Sequence, residues 1–202
     1  MKIICIGRNY IEHAKEMKSD IPTTPVFFMK PETSLLQRNQ PFYIPDFTNE
    51  VHYETEVVIK INRLGKHIEE KFAHRYYSEL GLGIDFTARD LQQECKAKGL
   101  PWEIAKAFEH SAPLTETFIN KEELPDNIKF WLDINGSIVQ QGETKDMIFS
   151  FDKIISYISK FFTLKIGDLI YTGTPVGVGP VKIGDRLKAY MENRLMLDFE
   201  IR

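Results

Sequence analysis

Residues 53–61 read YETEVVIKI, a run that predicts a β-strand entering the core, because β-branched residues dominate it and its polar and apolar positions partly alternate. Side chains alternate between the faces of a strand, so Glu54 and Glu56 are expected on the same side. Two carboxylates this close repel each other unless a positive charge lies between them. Two alternatives stay open: a solvated strand face, where Glu pairs are common, or a shared divalent cation, for which all-oxygen ligands indicate Mg²⁺ or Mn²⁺.

Short helices and strands follow this stretch. Residues 71–80, KFAHRYYSEL, predict one helix, and residues 80–86, LGLGIDF, predict a glycine-containing strand. Thr87 is a suitable N-cap for the next helix, with Asp90 in the capping-box position and Gly99 at its end.

The second half of the chain predicts a hairpin and an amphipathic helix. Asn135-Gly136 lies between two apolar runs, which is a strong signal for a two-residue hairpin. Residues 150–163 place apolar side chains at helical spacing behind a Ser150 cap. Prolines break residues 20–50 into extended pieces, and residues 167–202 return to short strands bounded by glycines. We expect a strand-rich, mixed α/β fold in a single domain over residues 1–202.

Composition excludes several classes of protein. The 202 residues carry a formal net charge of −3, which argues against a nucleic-acid binder. Hydrophobic residues make up 43% and charged residues 27%, as in ordinary globular proteins. The sequence contains no apolar run of about 20 residues, so we expect no membrane partner. Cys5 and Cys95 are too few for a disulfide framework, which indicates a reducing, cytoplasmic setting.

Four further side chains are candidates for chemistry, each with a structural alternative. Asp85 ends an apolar strand, where a buried carboxylate needs hydrogen bonds or a metal, although an Asx-turn would also place it there. Lys106 lies among small and aromatic residues, so it is either buried and facing an anion or extended along a surface helix. His13 and Glu16 are three residues apart, which places them on one helical face. They could form a base in which Glu16 orients the imidazole, or an ordinary surface pair.

The loop TGTPVGVGP at residues 172–180 is a candidate anion site. Its glycines let backbone N–H groups approach an anion, and its threonines add hydroxyl donors. The loop lacks the following helix of a dinucleotide-binding motif and the Lys-Ser/Thr pair of a P-loop.

Six motifs in order, spread over nearly the whole chain, resemble the fumarylacetoacetate hydrolase family in its short acylpyruvate hydrolase branch. They are GRNYIEHAKE (7–16), FFMKPETS (27–34), HYETE (52–56), GIDFTARDLQ (83–92), GLPWEIAKAFEHSAP (99–113) and GDLIYTGTPVGVGPVKIGD (167–185). The resemblance implies a β-sheet roll or barrel with a few short helices, and a homodimer.

The resemblance also implies the role of each candidate residue. Glu54, Glu56 and Asp85 match the metal ligands, with Mg²⁺ as the cofactor and Mn²⁺ as an alternative. His13, Glu16 and Lys106 match the catalytic residues, the first two on a lid within residues 1–20. The remaining matches are substrate-binding positions, namely Arg8, Lys30, Arg89, Gln92, Thr172, Gly173 and Thr174. Which of the two threonines contacts a substrate carboxylate stays open.

The activity implied by the resemblance is hydrolysis of the C–C bond of 2,4-dioxo acids (acylpyruvates) to pyruvate and a carboxylic acid, with oxaloacetate decarboxylation as a second activity. Tyr10, Phe27 and Phe28 are candidates for an acyl pocket or for the core. Two alternatives remain. One is an isomerase or decarboxylase of ring-cleavage oxo-acids in the same superfamily, and the other is a non-catalytic metal- or anion-binding module.

Overall fold

The computed structural model describes residues 1–16 and 20–202. Its helices are α1 (Ile11–Glu16), α2 (Glu70–Ala73), α3 (Arg89–Lys98), α4 (Glu103–Lys106) and α5 (Phe151–Ser159). Its strands are β1 (Ile3–Ile6), β2 (Phe27–Lys30), β3 (Leu35–Leu36), β4 (Val51–Tyr53), β5 (Thr55–Ile61), β6 (Tyr77–Ile84), β7 (Thr87–Ala88), β8 (Ala112–Pro113), β9 (Ile119–Asn120), β10 (Lys129–Ile134), β11 (Ser137–Glu143), β12 (Leu169–Tyr171), β13 (Gly179–Pro180), β14 (Arg186–Met191) and β15 (Arg194–Glu200).

The strands that carry the acidic candidates lie in the middle of the main sheet, whose order is β2-β1-β12-β5-β6-β9. β5 is antiparallel to both β12 and β6, and its register pairs Glu56 with Gly83 and Thr55 with Ile84. Apolar side chains of β1, β5 and β6 form much of the buried core. Because β6 ends opposite the start of β5, Asp85, the residue after β6, lies beside the two glutamates.

The predicted strand over residues 53–61 is interrupted at Glu54. β4 ends at Tyr53 and joins a small sheet of order β13-β4-β7, while β5 begins at Thr55 in the main sheet. Glu54 occupies the corner between the two sheets, and its carbonyl accepts a hydrogen bond from the Asp85 N–H at 2.8 Å. The two glutamate side chains still converge, as the alternating pattern predicts.

A second sheet, of order β11-β10-β14-β15, contains the predicted hairpin. Asn135 and Gly136 connect β10 to β11 with φ values of 55° and 87°, the positive pair that a type I′ turn requires. The strand-rich, mixed α/β fold is confirmed. The predicted amphipathic helix is α5, with the Ser150 hydroxyl accepting the Lys153 N–H, but it ends at Ser159. No helix in the described part of the chain is long and apolar enough to cross a membrane.

The helix predicted over residues 71–80 is wrong. Only the single turn of α2 forms, and the chain enters β6 at Tyr77, which pairs with Ile61 of β5. Pairing along a central strand therefore outweighs the helical preference of this segment.

The capping box predicted at Thr87 is also wrong. Thr87 belongs to β7 and donates its hydroxyl to the Asp85 carbonyl, and α3 starts after Ala88 without a side-chain cap. Asp90 instead accepts hydrogen bonds from the Thr48 hydroxyl and the Asn49 N–H. The predicted end at Gly99 is confirmed, since this residue adopts a left-handed conformation with φ of 64°.

Candidate functional site

Three buried carboxylates form the centre of the candidate site. One oxygen each of Glu54, Glu56 and Asp85 lies within 4.8 Å of the other two. Their side chains come from the β4–β5 corner, from β5 and from the end of β6, so the strand pairing itself assembles them. The alternatives of a solvated strand face for the glutamates and an Asx-turn for Asp85 are wrong.

Two buried cations, Lys106 and Arg89, form ion pairs with these carboxylates. The Lys106 ammonium lies 2.8 Å from oxygens of both Glu54 and Asp85, and Arg89 Nη2 lies 2.8 Å from the second oxygen of Glu54. Burial raises the pKa of Glu54, but Lys106 and Arg89 outweigh it and hold this pKa well below its usual range. Burial lowers the pKa of Lys106, but Asp85 and Glu54 outweigh it and raise it, so Lys106 remains an ammonium. The surface alternative for Lys106 is wrong.

Glu56 is the carboxylate without a cationic partner. Its Oε2 accepts the Gly173 N–H at 2.7 Å, and within residues 1–16 and 20–202 no ammonium or guanidinium forms an ion pair with it. Burial, Asp85 and Glu54 together raise its pKa well above the usual value. A positive charge on the Glu56 side of the cluster would relieve this repulsion.

The three carboxylates therefore fit a divalent cation. Asp85 Oδ1 is buried and accepts no hydrogen bond, although Lys30 Nζ lies 2.8 Å from it. Together with Glu56 it leaves carboxylate oxygens available as ligands. Oxygen-only donor sets suit Mg²⁺ and Mn²⁺.

Lys30 is a third buried cation, paired with Asp85 and with backbone carbonyls. Its ammonium donates to the carbonyls of Phe86, Lys106 and Ser111 and to the Ser111 hydroxyl, and its side chain is fully buried. The structure thus places Lys30 as an anchor for Asp85 and for the backbone of Lys106.

His13 and Glu16 form a fixed pair on α1. His13 is buried, and its Nδ1 lies 3.0 Å from Glu16 Oε2. The other oxygen of Glu16 accepts the Gly177 N–H at 3.1 Å, which ties α1 to the loop after β12. The lid that the resemblance implies within residues 1–20 also includes residues 17–19, which lie outside the described part of the chain.

A small polar cavity with about 20 Å³ of free volume lies beside these groups, room for about one water molecule, so a substrate can enter only if it widens. Arg89 Nη1 donates to Gln92 Oε1 at 2.7 Å, so both predicted substrate-binding residues face it from α3. Its lining residues are Gly7, Arg8, His13, Ala14, Glu54, Arg89, Gln92, Lys96, Trp102 and Lys106. A larger cavity, of about 940 Å³, is apolar, and chemistry rather than size therefore identifies the site.

Residues 172–174 do not line this cavity. The Thr172 hydroxyl donates to the Val57 carbonyl, the Thr174 hydroxyl donates to the Thr55 carbonyl, and the Gly173 N–H is used by Glu56. The loop therefore holds the Glu56 carboxylate and β5 in place, and contact of these threonines with substrate stays a prediction.

The three aromatic candidates for an acyl pocket are also separated. Phe28 lies beside the site, with the Lys106 ammonium 5.1 Å from its ring centroid. Phe27 packs on Phe162 of the region after α5, and Tyr10 packs edge-on against Phe130 in the core.

Several residues of the site were not predicted from the sequence. Lys96 follows Arg89 and Gln92 at positions i+7 and i+4 on α3, a spacing that places all three on one helical face. Asn9 is buried and its side-chain amide bonds the Thr172 carbonyl and both backbone groups of Phe149. The helical spacing was a usable signal for Lys96, whereas nothing local in the sequence marks the partners of Asn9.

Comparison with known proteins gives a consistent result. The sequence profile described as Fumarylacetoacetate (FAA) hydrolase C-terminal matches residues 2–200. The mitochondrial oxaloacetate tautomerase of Bos taurus is 45% identical, over 98% of this chain and 90% of that protein. The mitochondrial oxaloacetate decarboxylase of Dictyostelium discoideum is 45% identical, over 93% of this chain and 87% of that protein.

Among solved structures, the fumarylpyruvate hydrolase of Pseudomonas aeruginosa, in complex with Mn²⁺ and pyruvate, superposes with a TM-score of 0.92 at 34% identity, covering 100% of this chain and 89% of that one. The similarity thus extends over nearly all of this chain and includes enzymes that act on oxo-acids. The chain belongs to the fumarylacetoacetate hydrolase family.

Proposed function

We propose that the protein catalyses the metal-dependent conversion of oxaloacetate between its enol and keto forms. The observation that carries this proposal is the His13–Glu16 pair, with His13 lining a cavity whose other basic groups include Arg8, Arg89 and Lys106. The cavity thus offers fixed positive charge for an acidic substrate and one imidazole that can move a proton. Similarity to oxaloacetate tautomerases supports the choice of reaction.

The conversion requires that the substrate lose one proton and gain another. In the direction from enol to keto, a proton leaves the oxygen on C2 and a proton is added at C3, so the overall composition does not change. With Nδ1–H donated to Glu16, the Nε2 atom of His13 is left to exchange a proton. Lys106 and Arg89 supply positive charge beside the developing enolate oxygen.

We propose Mg²⁺ as the cofactor, with Mn²⁺ as a substitute, held by Glu54, Glu56 and Asp85. A cation bound there supplies an electrophile that polarises the 2-oxo group. The Mn²⁺ in the related fumarylpyruvate hydrolase structure supports this choice.

The second candidate function is hydrolysis of acylpyruvates to pyruvate and a carboxylic acid, with oxaloacetate decarboxylation as a further activity. The same His13–Glu16 pair favours hydrolysis, because an oriented imidazole can also take a proton from water. His13→Ala is then expected to reduce acetylpyruvate hydrolysis more than oxaloacetate decarboxylation, since decarboxylation consumes no water.

The test uses purified protein with Mg²⁺ and again with excess EDTA. Enol oxaloacetate is followed by its ultraviolet absorbance, and pyruvate release is measured with oxaloacetate and with acetylpyruvate. We expect Mg²⁺-dependent loss of the enol signal, reduced about 10²- to 10⁴-fold in His13→Gln, the range that general acid–base catalysis contributes. Glu12→Gln, on the exposed side of α1, is the matched control.

Each result assigns a function. Enol loss without pyruvate release supports the tautomerase, and faster pyruvate release from acetylpyruvate supports the hydrolase instead. Mg²⁺ binding without turnover of either substrate points to another oxo-acid, and failure to bind Mg²⁺ leaves the non-catalytic module.

We also propose that residues 1–202 act as one catalytic domain in a cytoplasmic homodimer. The two cysteines are buried and unbonded, which supports a reducing compartment. The apolar cavity lined by Met29, Phe47 and Ile104, two of them well exposed, supports a partner on that face. Light scattering in solution tests the dimer.

A further inference from the structure

One strand of the second sheet buries a glutamine where an apolar side chain is expected. Gln140 of β11 is only 2% exposed, whereas Ile138, two residues before it, is 60% exposed. Burial alone favours the reverse, with isoleucine in the interior and glutamine in water. Sequences depart from the usual pattern in this way chiefly at functional sites.

A β-bulge produces this arrangement. Asp133 of β10 lies opposite Ile138 of β11. The next pair along the ladder joins Leu132 to Gln140, so Val139 is the extra residue of the bulge. The extra residue reverses the alternation of β11, and Gln140 points with the buried Leu132 to the inner face of the sheet.

The Gln140 amide bonds the first residue of β5 and the loop after β12. Its Oε1 accepts the Thr55 N–H at 3.0 Å, and its Nε2 donates to the Thr174 hydroxyl at 2.8 Å and to the Pro175 carbonyl at 2.9 Å. The Thr174 hydroxyl donates in turn to the Thr55 carbonyl, which closes a ring of three hydrogen bonds. Because the Thr55 N–H can only donate and the Pro175 carbonyl can only accept, the orientation of the amide is fixed.

These side chains take the place of a neighbouring strand. β12 ends at Tyr171, opposite Val58 of β5, and therefore stops short of Thr55. A buried N–H and a buried carbonyl are costly to leave without partners. Gln140 supplies the partner of the Thr55 N–H, and Thr174 supplies the partner of its carbonyl.

We propose that Gln140 is a positioning residue of the metal site. Thr55 is the residue between Glu54 and Glu56, and the Gln140 amide holds it at the point where β5 begins. The backbone there sets the directions of both glutamate side chains, and therefore the separation of two proposed metal ligands. Gln140 thus acts through the strand and not as a ligand. The inference rests on the metal of the proposed function and not on the proposed reaction.

The same bulge also supports the loop that bonds two other groups of the site. The Gly173 N–H donates to Glu56, and the Gly177 N–H donates to Glu16. A Cβ added at Gly177 would lie 3.1 Å from the Val139 carbonyl oxygen, so the loop packs closely against the bulge. Gln140 bonds Pro175 between these two glycines. Loss of its amide should therefore also loosen the loop that orients Glu56.

The test measures metal affinity, which a purely structural glutamine would leave unchanged. Gln140→Met replaces the amide with an apolar group of similar length. Ser159→Ala is the matched control, because the Ser159 hydroxyl accepts the buried Ile68 N–H, and both substitutions remove the side-chain partner of a buried N–H. Dissociation constants for Mn²⁺ are measured by calorimetry, and urea denaturation without metal reports stability.

We expect Gln140→Met to weaken Mn²⁺ binding about 10- to 100-fold, the usual loss when a group that orients a ligand is removed, and Ser159→Ala to stay within about twofold of the wild type. Both variants should unfold at a lower urea concentration than the wild type, because each leaves a buried N–H unpaired.

A second measurement uses the wild type alone and does not depend on the folding of a variant. The side-chain amide signals of Gln140 in ¹H–¹⁵N spectra should shift when Mg²⁺ is added, because this amide bonds the backbone between two ligands. Those of Gln141, which is exposed, should stay in place.

Three results would overturn the inference: an unchanged Mn²⁺ affinity in Gln140→Met, an equal loss of affinity in Ser159→Ala, or Gln140 amide signals that do not respond to Mg²⁺. Failure of the proposed function gives a different result. A wild type that binds Mn²⁺ without converting oxaloacetate, and that loses affinity in Gln140→Met, keeps the positioning role and rejects the tautomerase.

Discussion

Gly173 is the position where a single methyl group should disturb both the fold and the metal ligands. Its φ of 98° is one that residues other than glycine rarely adopt, and a Cβ built there lies 2.6 Å from the Asn9 Cβ. Its N–H donates to Glu56 at 2.7 Å. Gly173→Ala therefore combines backbone strain, a steric clash in the core and displacement of a donor to Glu56.

Gly184 separates these effects, because it has nearly the same φ, 93°, with no atom within 4 Å of an added Cβ. A left-handed backbone conformation costs an L-residue about 1–2 kcal/mol, so Gly184→Ala should lower the free energy of unfolding by about that amount. Gly173→Ala should lose about 1–3 kcal/mol more, because the clash with Asn9 adds overpacking of the core. The two variants should thus differ in melting temperature by several degrees, at about 2–4 °C per kcal/mol for a chain of this size.

The assay is urea denaturation of both variants without metal, followed by calorimetric titration with Mn²⁺. We expect Gly184→Ala to bind Mn²⁺ like the wild type and Gly173→Ala to bind about 10- to 100-fold more weakly, the usual loss when an outer partner of a ligand is disturbed. Equal stability and equal Mn²⁺ affinity in the two variants would refute the role given to Gly173.

Two further predictions concern charges of the cluster. Because the raised pKa of Glu56 makes the metal-free native protein hold a proton there, its unfolding free energy should fall as pH rises from about 4.3, the ordinary glutamate pKa, through the raised value. Mn²⁺ affinity should rise over the same pH interval, because binding of the cation displaces the proton from Glu56. Calorimetry in buffers of different ionisation enthalpy measures this proton release. No release would mean that Glu56 is already ionised in the metal-free protein. Lys30→Met should cost about 3–5 kcal/mol in urea denaturation, because it leaves Asp85 and three carbonyls without their buried ammonium. Lys60→Met, which removes an exposed pair with Glu79, should cost at most about 1 kcal/mol, and similar losses for the two variants would contradict the anchoring role of Lys30.

Local patterns predicted those elements whose boundaries are set by local chemistry. The Asn135-Gly136 turn, the Ser150 cap and the glycine end at Gly99 all form as expected. The wrong predictions concern segments whose structure depends on contacts with residues far away in the sequence. Residues 77–80 join β6 because β5 lies beside them, and Thr48 takes the Asp90 carboxylate that a capping box would use.

The same division applies to the site. Alternation in the strand placed Glu54 and Glu56 on one side, and the apolar run made Asp85 a candidate third carboxylate, but the family resemblance was needed to assign the three as one ligand set. The sequence did not separate Lys30 from the cavity residues, because its ammonium faces backbone carbonyls that only the folded chain brings there. Lys96 was missed although its helical spacing was visible, since a lysine on a helix is ordinarily solvated.

The double use of the Glu16 carboxylate has a consequence for how reactivity is controlled. One oxygen fixes the His13 ring and the other holds the Gly177 N–H, so α1 is fastened to its neighbour through the same group that orients the base. Loss of the Gly177 contact would therefore also disturb the carboxylate that orients the His13 ring. Attachment of α1 to the loop and orientation of the imidazole thus depend on the same side chain, and a variant that weakens one should weaken the other.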